Sequence, residues 1–360
     1  MRLFGTEKYP KGPSFRSATQ MTKDLGVGRL TFMAPKPKPA FGGRWAEEPD
    51  VFDIASSDHY EVEQAWDEKP IDALQRLRVY SNTWEFRGLP LIKGYAGHIN
   101  CLVDVHRIKD LPANESLFDS NVLALQVLRN HEFCVYSEVV EGFTDAPLDT
   151  NPDKWPDVLG PVNCQWVERN GNEWLYAEEQ PLSRTARIVT WSTPLTHEHY
   201  LSFLFLVQRS STYGPNAYRI EQRVRPDTFI ELMHNIMDSV TLELRDDIKA
   251  EGDRIRAREN TENERPVIQF TPEQLEVAKH VMYMCSTRKL EDTDDQWNSA
   301  PARRAPRAAV ETFLEERVKF KPLPGSYPRG EIIYNRVPVL PITRLLDSQP
   351  QSSLEEKVNF

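Results

Sequence analysis

Residues 163–180 read NCQWVERNGNEWLYAEEQ. Two runs of alternating apolar and polar residues flank Asn170-Gly171-Asn172. Alternation with a period of two is the pattern of a strand with one buried face. Asn-Gly readily adopts the positive φ angles that a tight hairpin turn needs. The stretch therefore predicts a β-hairpin and, with it, an antiparallel sheet. Trp166 and Trp174 fall on its two strands, close enough to pair in a register that the sequence does not fix. Glu178 and Glu179 are neighbours on one strand and face opposite ways, which argues against an acid–base carboxylate pair.

The same logic extends in both directions. RIVTWST (187–193) and YLSFLFLVQ (200–208) predict a second hairpin through the loop PLTHEH. Upstream, VYSNTWEF (79–86), the turn residues RGLP and HINCLVDVHRI (98–108) predict two more strands. Asp119 is placed to cap a buried helix over NVLALQVLRN, which is apolar nearly all round. HEFCVYSEVVEG (131–142) reads as a return to strand, with Phe133, Val135 and Ser137 on one face. Residues 61–78 read as a short helix through Trp66, Leu74 and Leu77. Downstream, Asp227 is expected to cap a helix carrying Phe229, Leu232, Met233 and Ile236, and VTLEL then switches to strand.

The ends differ in character. KYPKGPSF (8–15) and APKPKPAFGG (34–43) combine proline and glycine with few periodic apolar positions, so residues 1–60 read as an extended, irregular arm. Gly26-Val27-Gly28 within it is half of a dinucleotide fingerprint, without the third glycine or a preceding strand, and is discounted. Residues 248–266 are highly charged and suit a linker or a solvated helix. Residues 267–320 predict a helical segment. Its first helix is capped by Thr271, with Pro272 at the first position and Gln274 completing a capping box, and it carries a stripe of Leu275, Ala278, Met282 and Cys285. A second helix carries Val310, Phe313, Leu314 and Val318. Residues 321–360 are again punctuated by proline. The expected whole is an α+β core over 61–247, an antiparallel sheet with flanking helices, between two Pro-rich arms.

Charge divides the chain unevenly. Its net charge is −10. Residues 1–45 carry nine basic and two acidic side chains, a surplus of +7 that leaves −17 on the other 315 residues. An acidic body excludes broad nucleic-acid binding, leaving only the basic segment to meet phosphates, lipid headgroups or an acidic protein face. The four cysteines (Cys101, Cys134, Cys164, Cys285) are far apart and sit in apolar settings. That pattern excludes a zinc knuckle and suits a reducing compartment. No apolar run is long enough to span a membrane. The first 23 residues are basic, hydroxyl-rich and poor in acid, as in a mitochondrial transit segment.

Residues 79–247, read as β–β–α–β–ββ–ββ–α–β, are similar in element order to the Mog1/PsbP/DcrB-like fold. FIELMHNIMDSVTLEL resembles the close of those families, a helix, a serine (here Ser239) and an apolar strand. The resemblance covers under half of the chain. It implies a sheet flanked by helices and a binding or accessory role rather than a shared active site.

No motif names a reaction. The pattern lacks a nucleophile elbow, a P-loop and a kinase signature. His197 and His199 come nearest to a metal pair, since residues two apart on an extended chain point the same way. A third ligand would have to come from His106, His131 or Asp104. The absence of H-E-x-x-H or any ligand set at metal spacing favours a polar hairpin loop whose turn is set by Pro194 and Thr196. Asp292, Asp294 and Asp295 lack the glycine and spacing of a calcium loop and read as a solvated turn. Trp45, Trp155 and Trp297, with Arg16, Lys36 and Lys38, are candidates for contact with a protein partner. The sequence thus predicts a non-catalytic subunit or accessory protein of a large assembly, without cofactor. The mitochondrial matrix suits it, and the bacterial cytoplasm is the alternative. A free-standing binding, immunity or chaperone-like protein, and a metal-dependent hydrolase using His197 and His199, are the other two readings.

Overall fold

The computed structural model describes residues 5–36, 48–56, 60–64, 70–89, 94–109, 111–140, 156–183, 185–210, 216–258, 270, 272–286 and 305–318. The strands are β1 Ala18–Asp24, β2 Gly28–Pro35, β3 Glu61–Gln64, β4 Pro70–Arg87, β5 Tyr95–Ile108, β6 Val158–Arg169, β7 Asn172–Pro181, β8 Ala186–Pro194, β9 His199–Arg209 and β10 Thr241–Leu244. The helices are α1 Ser120–Val140, α2 Ala217–Glu221, α3 Asp227–Met237, α4 Asp246–Arg256, α5 Pro272–Met284 and α6 Arg307–Arg317. The fold is α+β. Seven strands form one antiparallel sheet in the order β3-β4-β5-β9-β8-β7-β6, and three form a second, β1-β2-β10. Among the described residues no helix is long and apolar enough to cross a membrane.

Both predicted hairpins are present. Arg169 pairs with Asn172 across a two-residue turn in which Asn170 (φ 48°) and Gly171 (φ 76°) are both left-handed. That geometry matches the right-handed twist of the flanking strands. The register puts Trp166 opposite Leu175 and Val167 opposite Trp174. The two tryptophans therefore do not pair. One residue of offset sends them to opposite faces, Trp174 to the core shared with β2 and Trp166 to the core shared with α1.

One face of the large sheet is covered by the small sheet and α3. Leu30 and Phe32 of β2, Phe229, Met233 and Ile236 of α3, and Trp84, Trp191, Phe203 and Phe205 of the large sheet lie in one buried cluster. Phe32 meets Tyr80 and Phe203 edge-on, at 5.0 and 5.4 Å between ring centroids, the offset geometry that aromatic quadrupoles favour. A bulge between Arg78 and Tyr80 keeps both Leu77 and Tyr80 on this face, as an inserted residue does when it resets alternation. The β6–β7 turn joins the two sheets. Asn170 Nδ2 donates to the carbonyls of Asp238 (2.9 Å) and Val240 (2.7 Å), and Asn172 Nδ2 to that of Leu242 (3.2 Å). Helices α5 and α6 pack on Leu159, Val162 and Leu182 through Ala278, Val281, Met282, Val310 and Leu314.

Several sequence expectations are corrected. Residues 18–35 are not irregular. They form the β1–β2 hairpin, and Gly26-Val27-Gly28 is its turn, with Gly26 at φ 75°. Lys23, counted with the basic arm, is buried, and its ammonium donates to the carbonyls of Glu48 (3.0 Å) and Pro49 (2.7 Å) and to Asp50 Oδ1 (3.0 Å). Residues 61–78 contribute β3 and the start of β4 rather than a helix, because the ladder to β5 (Leu74↔Ile108 to Tyr80↔Val103) overrides local helical spacing. Trp66 lies outside the described residues. Residues 131–140 continue α1 and are not a strand. Asp119 Oδ1 caps that helix at the amides of Asn121 (2.8 Å) and Val122 (3.3 Å). HEFCVYSEVV contains no Gly or Pro to stop it, and propagation adds one hydrogen bond per residue fixed. Asp227 is the first residue of α3, not its cap. Pro226 holds the cap position and Asp227 pairs with Arg225 at 2.8 Å. The strand after α3 is β10, but it pairs with β2 in the small sheet. Thr271 lies outside the described residues.

Candidate functional site

The alternation that packs one face of β5, β8 and β9 against the small sheet sends the intervening side chains to the other face. Leu102, Asp104 and His106 of β5, Ser202, Leu204 and Leu206 of β9, and Ile188 and Thr190 of β8 point there. Helix α1 covers part of that face through Val122, Leu123, Val127 and Leu128, which pack with Trp166, Leu175, Ala177 and Tyr200. Between helix and sheet a cavity of about 200 Å³ remains. Its walls are largely apolar, and a few polar groups converge on it, as in small-molecule sites generally.

Those polar groups are well connected. His106 Nε2 lies 2.8 Å from Ser202 Oγ, and its ring stacks on Tyr200 at 4.6 Å and 13°. Tyr200 Oη in turn accepts from Asn130 Nδ2 at 3.0 Å. Asp104 receives two hydrogen bonds from Arg78, that of Nη2 being 3.2 Å long. On the α1 side, His131 Nδ1 lies 2.7 Å from Glu179 Oε1. Two buried atoms of these groups, His106 Nδ1 and His131 Nε2, have no hydrogen-bond partner among the described residues. A buried polar atom left so is costly unless something else meets it.

Burial, reinforced by the Arg76 and Arg78 guanidiniums, pushes the His106 pKa down to about 3. The ring is therefore neutral at ordinary pH and a poor proton acceptor, so the His106–Ser202 contact is a hydrogen-bonding element rather than a base and its nucleophile. Among the described residues no three His, Cys, Asp or Glu side chains are grouped to hold a metal ion. What the arrangement offers is a largely apolar cavity bordered by two buried histidines.

The sequence candidates fall elsewhere. His197 is exposed in the β8–β9 turn, beside a polar groove that includes Asp119 and Arg254. His199, the first residue of β9, is buried. Its Nδ1 lies 2.8 Å from Thr196 Oγ1 and its ring 6.1 Å from that of Tyr60. Burial lowers its pKa to about 4, with Glu198 opposing and Arg107 assisting the shift. The expectation that the two histidines point the same way fails because only His199 is on the strand. Alternation also puts His199 on the face opposite His106 and Asp104, so neither completes a ligand set with it. Thr196 sets the turn, its hydroxyl accepting from the amides of Glu198 (3.3 Å) and His199 (3.1 Å). Arg16 and Lys36 are exposed. Lys38, Trp45, Trp155, Trp297, Asp292, Asp294 and Asp295 lie outside the described residues.

Glu178 and Glu179 diverge. Glu179 meets His131 at the cavity. Glu178 accepts from Arg187 Nε at 3.0 Å and from the Tyr176 hydroxyl, beside a second buried group in which Arg209 Nη1 lies 3.1 Å from Glu221 Oε1 and Arg317 also pairs with Glu221. The histidine and glutamate of the cavity are 48 residues apart. No local motif joins them, and alternation alone signalled only that Glu179 faces away from Glu178.

No family model matches this chain, and no curated protein matches it. A solved crystal structure from Bacteroides thetaiotaomicron is similar over 82% of this chain and 98% of that one, at 9% identity and a TM-score of 0.19. A likeness so slight carries no argument about fold or function.

Proposed function

We propose that this protein binds a small, largely apolar molecule between α1 and the seven-stranded sheet. The carrying observation is the cavity of about 200 Å³, walled by Leu102, Ile188, Leu204 and Leu206 and bordered by two buried histidines. A cavity of about 150 Å³ is enough to hold a benzene ring, so a single-ring molecule or a short chain is the right size. This reading belongs with the free-standing binding proteins rather than the enzymes. At the cavity, among the described residues, the hydroxyl paired closely with an imidazole is that of Ser202 with His106, a ring too weakly basic to activate it. The tryptophans that favour an assembly subunit lie outside the described residues. On the described surface large apolar side chains are exposed at Val51, Leu89 and Tyr95, which offers such a role no broad apolar face.

The test is a thermal-shift and ligand-observed NMR screen of the full chain against one-ring compounds. It is repeated with Ile188→Trp, which fills the cavity from its sheet wall. Hits that disappear in the variant support the reading. A folded protein without hits, or with hits indifferent to Ile188→Trp, removes it.

A further inference from the structure

Asn170-Gly171 is the one Asn-Gly pair of the sequence. Asparagine is a chemically labile residue, and before glycine it has a reaction of its own. The backbone nitrogen of the glycine, with no side chain beside it, attacks the side-chain carboxamide carbon. An N–Cγ bond forms, the Cγ–Nδ2 bond breaks, and the glycine amide proton departs with Nδ2 as ammonia. The product is a five-membered cyclic imide. Water then opens it at either carbonyl, to aspartate or to isoaspartate, with no change of oxidation state.

The fold sets this pair in the open and at the same time restrains it. Asn170 and Gly171 are both exposed, and a side chain added at Gly171 would meet nothing within 4 Å. Water therefore reaches the turn, and ring closure meets no wall. The reacting group, however, is held by β10's approach, since Nδ2 donates to the carbonyls of Asp238 (2.9 Å) and Val240 (2.7 Å). The carboxamide has to leave both before it can turn onto the Gly171 nitrogen. Once converted it cannot go back. An ionised carboxylate accepts hydrogen bonds and donates none, so each of the two contacts becomes lone pair against lone pair. The new charge also arrives close to the Asp238 carboxylate, which pairs with Arg169 at 3.0 Å. Isoaspartate would in addition lengthen the main chain inside a turn whose register is Arg169↔Asn172.

We propose that Asn170-Gly171 is a deamidation site governed by the attachment of the β6–β7 turn to the segment leading into β10. Reaction follows when the turn lifts off that segment, and each conversion removes the amide that joined the two sheets there. The turn acts as a one-way switch on the link between them.

The full chain is incubated in mildly alkaline buffer, folded and in urea, and peptide mass spectrometry follows Asn, Asp and isoAsp at position 170. Conversion is expected in both, about tenfold or more slower in the folded protein, since two hydrogen bonds must first break. Asn172→Ala, which removes the neighbouring side-chain bond to the Leu242 carbonyl, is expected to speed conversion of the folded protein and not that of the unfolded chain. The converted fraction, separated by ion exchange, is expected to exchange the amide hydrogens of β10 and β2 faster, and Asn170→Asp to do so without incubation. Equal rates in buffer and urea, or no conversion of the folded protein while the unfolded chain reacts to completion, overturn the proposal. So does unchanged exchange of β10 in the converted fraction. The wild-type comparison decides the matter even where a variant does not fold.

Discussion

The two faces of the seven-stranded sheet are made by the same strands and behave differently. Toward the small sheet, Phe203, Phe205, Val207, Val189 and Trp191 are fully buried, and rings from three elements interlock around them. Toward α1, their immediate neighbours Leu204, Leu206, Ile188 and Thr190 are only half-buried and border a cavity. The difference lies in what covers each face. Two elements, the β1-β2-β10 sheet and α3, close the first. Among the described residues, α1 lies over the second between β5 and β7, with α5 and α6 packed farther along at Leu159 and Val162, and a helix about 10–12 Å across covers only part of a broad sheet. The packed face holds the structure together, and the other face, among the described residues, borders the cavity proposed above to take a ligand.

Four measurements can break or sharpen this contrast. Phe203→Ala, on the packed face, is expected to cost about 3–5 kcal/mol, read as a lower urea midpoint at unchanged slope. Loss of under about 1.5 kcal/mol would mean that this face is not the tight one.

Acidification comes next. His106 and His199 have pKa values near 3 and 4 in the fold, against about 6.5 in an unfolded chain. Between those limits the unfolded state binds more protons. Stability is therefore complete above about pH 6.5 and falls as the pH drops toward the folded values, by about 1.4 kcal/mol per pH unit for each histidine. His106→Gln should flatten the dependence of urea stability between pH 7 and 5 by one histidine's share. An unchanged slope would show that His106 is not buried neutral beside Arg76 and Arg78.

Asn170→Ala should cost about 1–2 kcal/mol, since it forces a less suitable residue to φ 48° and removes two side-chain hydrogen bonds to the segment around β10. A neutral outcome would mean that the two sheets do not depend on the β6–β7 turn for their attachment. Leu204→Ala is expected to cost least, about 1 kcal/mol, because much of that side chain faces the cavity. If instead it matched Phe203→Ala, the cavity would be closed and the contrast between the faces would collapse.

Legibility in the sequence followed the range of the interactions. Both hairpins were readable because their turn chemistry and alternation are local, as were the Asp119 cap and the apolar stripe of α3. The readings of 61–78 as helix and 131–140 as strand were lost to interactions that the windows did not contain, the ladder from β4 to β5 and the run-on of a helix nucleated at Ser120. The candidate site was almost entirely illegible. His197 and His199 drew notice through proximity in the chain, yet one is on a turn and the other on the packed face. His131 and Glu179 became partners only when α1 settled across β7.

By itself, then, the sequence determined the strands with strong turns, the helix with a clear stripe and the α+β class, since each rests on contacts between residues a few positions apart. Tertiary structure decided that residues 18–35 join β10 in a second sheet, that Trp166 and Trp174 part company, and that α1 crosses the sheet face opposite the small sheet. Those outcomes depend on register and on which layers meet, and a shift of one residue in either would reverse them.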